Sequence, residues 1–137
     1  MVDASVAAKW VVAEEGHAES LSLANGQALI GPDFVLIETA NILWKKVRLG
    51  ELTPPQAREG LNFIRNAYDE FLSSAELLDS AFDIALHLDH PIYDCLYLAC
   101  AEARGATVIS CDKRLAGKVA SDDRFKVDLL STAGSET

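Results

Sequence analysis

Short apolar runs and amphipathic helical segments alternate along this chain. The clearest helical pattern lies in residues 33–49, where apolar side chains recur with helical spacing from Phe34 to Trp44 before Gly50 ends the helix. The clearest strand pattern is the near-continuous apolar run of residues 106–111, which is typical of a central parallel strand.

Other segments complete the alternation of the two element types. Helices are predicted over residues 5–12, 17–24, 53–68, 75–88, 93–104 and 113–120, and further strands over residues 1–3, 28–30, 71–73 and 125–129. Such alternation implies right-handed βαβ units. We therefore predict an α/β fold with a central parallel sheet of about four to five strands, flanked by helices on both faces. In this architecture the functional site lies beyond the carboxyl ends of the strands.

Length and hydropathy place limits on the kind of protein. The 137 residues are enough for one domain with its own core, so we predict a single domain over residues 1–137 with a frayed tail over residues 131–137. No apolar run is long enough to cross a membrane, and no secretory signal pattern is evident. We expect a cytoplasmic protein with no membrane partner.

The charge balance restricts how the chain can meet nucleic acid. A net charge of −9 argues against a sequence-independent nucleic-acid coat, because bulk phosphate binding requires a basic face. It does not exclude an enzyme that contacts phosphates through metal ions and a few local cations. Residues 45–48 and 113–118 contain such cations, although clusters of this kind are more often solvated helix faces.

The cysteines and histidines do not have the spacing of zinc ligands. We expect the three cysteines to be small buried hydrophobic residues in a reducing compartment. We expect the three histidines, His17, His87 and His90, to lie at the surface or at helix ends.

Four carboxylates stand inside apolar runs, where an isolated charge is costly to bury. They are Asp3, Glu38, Asp94 and Asp112. The predicted topology can bring all four to one edge of the sheet, where a divalent cation would relieve their mutual repulsion. Each acid also has a simpler explanation. Asp3 and Asp94 could cap or begin helices, Asp112 could begin a turn, and Glu38 could stand at the margin of an apolar stripe.

The surroundings of the four acids resemble the four motif segments of PIN-domain ribonucleases, and most closely those of the VapC-type toxins of bacterial type II toxin–antitoxin pairs. The resemblance runs from Val2 to about Leu130, with the segments in the expected order. The first strand is shorter than is usual in that family. The four segments are Met1 to Trp10, Pro32 to Leu43, Tyr93 to Ala99 and Thr107 to Leu115.

The resemblance implies an endoribonuclease in which the four acids are catalytic and hold one or two Mg²⁺ or Mn²⁺ ions, directly or through water. Carboxylate oxygens are the ligands that these ions prefer. The resemblance also suggests supporting roles for neighbouring polar residues. Ser5 and Ser110 would contact a phosphate or a metal-bound water, Asn41 would orient Glu38, and Lys9, Lys113 and Arg114 would contact RNA.

The same resemblance implies partners: an RNA substrate, a cognate antitoxin that inserts an arginine into the acidic site, and a second copy of the chain in a homodimer. We expect Phe63 and Tyr68 to be exposed apolar residues that supply a groove for a partner's helix. An alternative is a non-catalytic interaction module that keeps the acidic pocket for a protein partner. Phosphoryl-transfer folds, either a haloacid-dehalogenase-like phosphatase or a response-regulator receiver, fit less well. The phosphatase would need a second aspartate where Ser5 stands, and the receiver would need paired acids after the first strand and a lysine after a late strand.

Overall fold

The computed structural model describes residues 1–12, 15–26 and 28–130, without the side chains of residues 25 and 26. The predicted tail over residues 131–137 lies outside the described residues. The described helices are α1 (Ala4–Ala7), α2 (His17–Gly26), α3 (Phe34–Arg48), α4 (Pro54–Ala67), α5 (Ser74–Leu88), α6 (Ile92–Arg104) and α7 (Lys113–Val119), with a 3₁₀ turn at Ala8–Trp10. The described strands are β1 (Ile30–Pro32), β2 (Glu70–Leu72), β3 (Val108–Ser110) and β4 (Val127–Leu129). None of the helices described is both long and apolar enough to cross a membrane.

The strands are parallel, as predicted, and their ladders form two pairs. In the first pair β1 lies beside β2, with Gly31 opposite Phe71. In the second pair β3 lies beside β4. The predicted first strand is reduced to Val2, which forms a single parallel bridge to Ile109 of β3. The α/β fold predicted from the alternation of elements is thus confirmed. The strands are shorter than the apolar runs suggested, and among the described residues they form two pairs where one sheet of four to five strands was predicted.

A buried tyrosine lies between the two strand pairs. The Tyr68 hydroxyl donates a 2.8 Å hydrogen bond to the Val2 carbonyl, and a side chain at Gly31 would begin only 2.9 Å from the Tyr68 ring. Tyr68 is 6% exposed. The expectation that Tyr68 would form an exposed groove with Phe63 was therefore wrong for Tyr68, although Phe63 is 44% exposed. The tyrosine is buried because the missing side chain at Gly31 leaves room for its ring.

Local sequence accounts for the helices that carry the site. Asp33 precedes α3, and α3 ends at Arg48, close to the predicted limits. The helix α6 follows Pro91, and residues 95–101 within it are all buried, so α6 runs through the core. In the first turn of α6, before this buried run, Asp94 is partly buried and Tyr93 is exposed.

A matched pair of glycine substitutions tests the packing of α4. We expect Gly60→Ala to destabilise the fold, because the new methyl group would lie 2.4 Å from Val11 Cγ1 and core overpacking costs about 1–3 kcal/mol. Gly117→Ala in α7 meets nothing within 4 Å and should gain up to about 1 kcal/mol from helix propensity. Urea denaturation of both variants measures the difference, and equal stabilities would contradict the packing described here.

Candidate metal-binding acidic site

Asp3 lies at the carboxyl end of the first strand and begins the site. Its backbone N–H donates to the Ile109 carbonyl at 3.1 Å, which fixes the residue against β3. Its side chain caps α1 by accepting a 3.3 Å hydrogen bond from the Val6 N–H. The side chain is nearly inaccessible, with Asp3 only 4% exposed.

Two serine hydroxyls hold the Asp3 carboxylate in place. Ser5 Oγ donates to Asp3 Oδ1 at 2.5 Å, and the Ser110 side chain forms a second hydrogen bond to the carboxylate. Both hydroxyls also accept bonds from the segment after β3: the Cys111 N–H donates to Ser5 Oγ at 3.0 Å and the Asp112 N–H to Ser110 Oγ at 2.9 Å. Ser5 and Ser110 were predicted to support the site, and they lie against its first acid.

Glu38 projects from the first half of α3 and meets α6. Its Oε1 accepts a 2.5 Å hydrogen bond from the hydroxyl of Tyr97, a side chain that is 1% exposed. Burial raises the pKa of Glu38, and the hydrogen bond from Tyr97 opposes that rise. Asn41 was predicted to orient Glu38, but it is exposed on α3. The observed hydrogen bond to Glu38 comes from Tyr97 on α6.

Asp94 lies in the first turn of α6 and is paired with a buried histidine. His90 Nε2 lies 2.6 Å from Asp94 Oδ2, with side chains that are 5% and 26% exposed, respectively. An ionised carboxylate only accepts hydrogen bonds, so the bond assigns the proton to Nε2. His90 was expected at the surface or at a helix end; it lies between the end of α5 and the start of α6, and it is buried.

Three of the four predicted acids lie close enough for the charge of one to raise the pKa of another. Burial is the main cause of the raised pKa of Asp3, and the negative charge of Asp94 raises it further. Asp94 and Asp3 likewise add to the rise in the pKa of Glu38. These carboxylates come from the first strand, α3 and α6, so the tertiary fold directs three acids to one place. Such mutual repulsion is the condition that a bound cation would relieve.

Asp112 lies beside this group in a different role. It is the N-cap of α7, and its Oδ1 accepts the N–H groups of Arg114 and Leu115 at 2.9 and 3.3 Å. It is not among the groups that perturb the pKa of Asp3 or Glu38. The helix-cap explanation therefore describes the observed contacts of Asp112, while Ser110 links its backbone to Asp3.

The donor set suits a hard divalent cation in its chemistry, because the three facing groups offer carboxylate oxygens. In the described part of the chain, however, no three histidine, cysteine, aspartate or glutamate side chains are grouped in an arrangement that could hold a metal ion. The structure thus brings the acids into electrostatic contact without gathering them into a ligand cage.

The three predicted RNA-contact residues lie near the ends of short helices. Lys9 donates to the Glu15 carbonyl at 2.9 Å, and Lys113 and Arg114 are exposed in the first turn of α7.

Sequence reasoning overlooked the two side chains that hold the second and third acids, His90 and Tyr97. His90 was detectable by spacing, since it lies four residues before Asp94, but the intervening Pro91 concealed the relation, because a proline normally separates two elements. The bond from Tyr97 to Glu38 joins residues 59 apart in sequence, and no local spacing signals it.

Comparisons with known proteins agree with this geometry. The sequence profile of the PIN domain family matches residues 1–120. The chain is 34% identical over 124 residues to Ribonuclease VapC3 of Pyrobaculum aerophilum, an alignment that covers 86% of this chain and 92% of the relative. It also superposes on the crystal structure of PAE2754 from Pyrobaculum aerophilum with a TM-score of 0.66 at 23% identity. That match covers 92% of this chain and 81% of the other, and it shows a shared fold.

The resemblance first seen in the segments around the four acids is therefore confirmed over most of the chain. The protein belongs to the PIN domain family and is of the VapC type within it.

Proposed function

We propose that this protein is a metal-dependent endoribonuclease that hydrolyses RNA phosphodiester bonds and acts as the toxin of a toxin–antitoxin pair. The observation that carries the proposal is the convergence of Asp3, Glu38 and Asp94. The charge of Asp94 adds to the raised pKa of Asp3, and the charges of Asp94 and Asp3 add to the raised pKa of Glu38. Placing three like charges together is unfavourable for the fold, so it calls for a functional reason. The relative named Ribonuclease VapC3 supports RNA as the substrate.

We propose Mg²⁺ or Mn²⁺ as the cofactor, held by Asp3, Glu38 and Asp94. We propose Asp112 as the fourth acid. Both of its helix-capping hydrogen bonds end on Oδ1, so capping does not use Oδ2. When bound, such an ion supplies a water of lowered pKa and stabilises charge that develops on the phosphate.

The protein's own residues prepare this chemistry by fixing each carboxylate with a separate donor. Ser5 and Ser110 hold Asp3, while Tyr97 and His90 hold Glu38 and Asp94, respectively. Side chains that are held before substrate arrives do not have to be reordered during the reaction.

A protein antagonist is the second part of the proposal. The acidic pocket suits an arginine from a cognate antitoxin, because a guanidinium pairs bidentately with a carboxylate. We also propose a homodimer. Exposed apolar side chains on α5, namely Leu78, Phe82 and Leu86, recur every four residues and offer one helical face for such contacts.

The first test is metal-dependent cleavage. Wild-type protein with Mg²⁺ or Mn²⁺ is expected to cut structured RNA and to leave duplex DNA largely intact, whereas EDTA should abolish the cutting. Asp94→Asn should reduce cleavage to background, because it removes a charge that the metal requires. Asp79→Asn, an exposed position on α5, controls for the loss of one negative charge. Undiminished cleavage in EDTA would refute the mechanism, and RNA that is bound but never cut would favour a non-catalytic interaction module.

The second test uses the pH dependence of stability without metal. The pKa of Asp3 is raised by burial, so the folded state holds that proton more tightly than the unfolded state does. The resulting stability is present at low pH and is lost as the pH rises through the folded pKa. In EDTA, Asp3→Asn should therefore melt higher than wild type at neutral pH, and the difference should shrink as the pH falls. A difference that stays constant with pH would contradict the assignment.

The third test concerns the histidine that holds Asp94. His90→Leu removes the donor, and loss of a group that orients a metal ligand typically costs about 10- to 100-fold in metal affinity or activity. His90→Gln can still donate from an amide nitrogen, so it should retain much of the affinity. The Mn²⁺ concentration that gives half of the metal-induced rise in melting temperature provides the measurement. Equal values for wild type and the leucine variant would show that His90 serves packing alone.

A further inference from the structure

We propose that the exposed face of α3 beyond Glu38 binds a single RNA strand as it leaves the acidic site. We call this face the α3 track, and its residues are Asn41, Trp44, Lys45 and Arg48. The inference rests on the proposed ribonuclease function and identifies residues that would hold the substrate outside the acids.

Helix geometry makes the track continuous with the site. Asn41, Lys45 and Arg48 follow Glu38 by three, seven and ten residues, which places all of them on nearly the same side of α3. Each is exposed. At 1.5 Å of rise per residue, Lys45 and Arg48 lie about 10 and 15 Å from Glu38 along the helix axis. A strand that leaves the acids along α3 therefore passes an amide and then two cations.

The two cations of the track are available to phosphates. Lys46, between them in sequence, is paired with Glu51 at 3.0 Å. Within the described part of the chain, neither Lys45 nor Arg48 forms a salt bridge. The whole chain has 12 basic residues against 21 acidic ones, so its overall field repels RNA. Binding therefore depends on local cations placed where the strand passes.

An exposed indole supplies the second component of a single-strand site. Trp44 is 54% exposed, whereas Trp10, the other tryptophan of the chain, is 4% exposed. The Arg48 guanidinium carbon lies 5.6 Å from the centroid of the Trp44 ring. Aromatic faces beside cations are the usual platform for unpaired bases, because any base can stack while the cation contacts its phosphate.

A protein partner is the competing occupant of this region. An apolar groove of about 330 Å³ lies between α3 and α4, lined by Trp44, Val47 and Leu61 among others, and a partner's helix could enter it. The antitoxin proposed above must carry a cation into the acidic pocket, however, and Lys45 and Arg48 would repel a basic segment that follows α3. Charge complementarity thus favours the nucleic acid for the track itself.

The test measures binding of a short, mixed-sequence, single-stranded 2′-O-methyl RNA, which lacks the free 2′-hydroxyl and is used in EDTA so that no cleavage occurs. Fluorescence anisotropy at several salt concentrations gives the affinity. Lys45→Gln and Arg48→Gln should each weaken binding and lower the salt dependence by roughly one phosphate contact. Trp44→Ala should weaken it on the order of tenfold, and Trp44→Phe should retain most of the affinity.

Two controls make the result specific. Lys126→Gln removes another exposed cation, which lies just before the amino end of β4 and not at the carboxyl ends of the strands, and this variant should bind like wild type. Intrinsic tryptophan fluorescence should be quenched by the oligonucleotide in wild type, because Trp44 is the exposed indole. All variants should keep the wild-type melting temperature and its Mn²⁺-induced rise.

The outcomes separate the two proposals. If wild type cleaves RNA but the track variants bind and cleave as wild type does, the track is refuted while the ribonuclease stands. Variants that keep RNA binding but lose a partner protein would assign this face to the partner and overturn the inference. If wild type neither binds the oligonucleotide nor cuts RNA with metal supplied, both proposals fail.

Discussion

The Asp3 carboxylate is held by hydroxyl groups from two distant parts of the chain, and the site is built around this contact. Ser5 follows it by two residues and Ser110 comes from the end of β3, so one side chain joins the amino terminus to a late strand. The interaction stabilises a charge that burial opposes, because hydrogen bonds to an ionised group are stronger than neutral ones. Glu38 on α3 and Asp94 on α6 lie close enough to Asp3 to share its electrostatic environment.

Asp3, Glu38 and Asp94 accept hydrogen bonds from three different kinds of side chain: serine, tyrosine and histidine, respectively. This difference has a physical consequence. A serine hydroxyl can rotate toward a carboxylate, a buried tyrosine offers one fixed proton, and an imidazole donates from a rigid ring. None of these donors brings a permanent positive charge into the site. The carboxylates are therefore oriented while their negative charge stays available for a cation, which an arginine or lysine in the same place would have neutralised.

Much of this arrangement could be predicted from sequence, because it depends on local patterns. The limits of α3, and the positions of Asp3, Asp94 and Asp112 at or near element ends, follow from apolar periodicity and from the glycines and prolines that end the elements. The contacts between elements could not be predicted. Tyr97 reaches Glu38 only because α3 and α6 approach each other, and Tyr68 is buried only because Gly31 leaves space for its ring. The strand β1 was predicted over residues 28–30, two residues before its observed position, because Gly31 and Pro32 suggested a turn. Proline is tolerated on a sheet edge, however, and Pro32 pairs with Leu72 of β2.

The bridge between Val2 and Ile109 has a consequence for how the protein is made. The Ile109 N–H donates to the Met1 carbonyl and the Asp3 N–H to the Ile109 carbonyl, so the first strand has its neighbour more than 100 residues later. Contacts of such long range form late in folding, because the entropy of closing the intervening chain must be overcome first. On a ribosome, Asp3 waits without its Ser110 partner until the segment that contains β3 has been synthesised. A growing chain thus carries dispersed acids, and the site is assembled only after β3 has emerged.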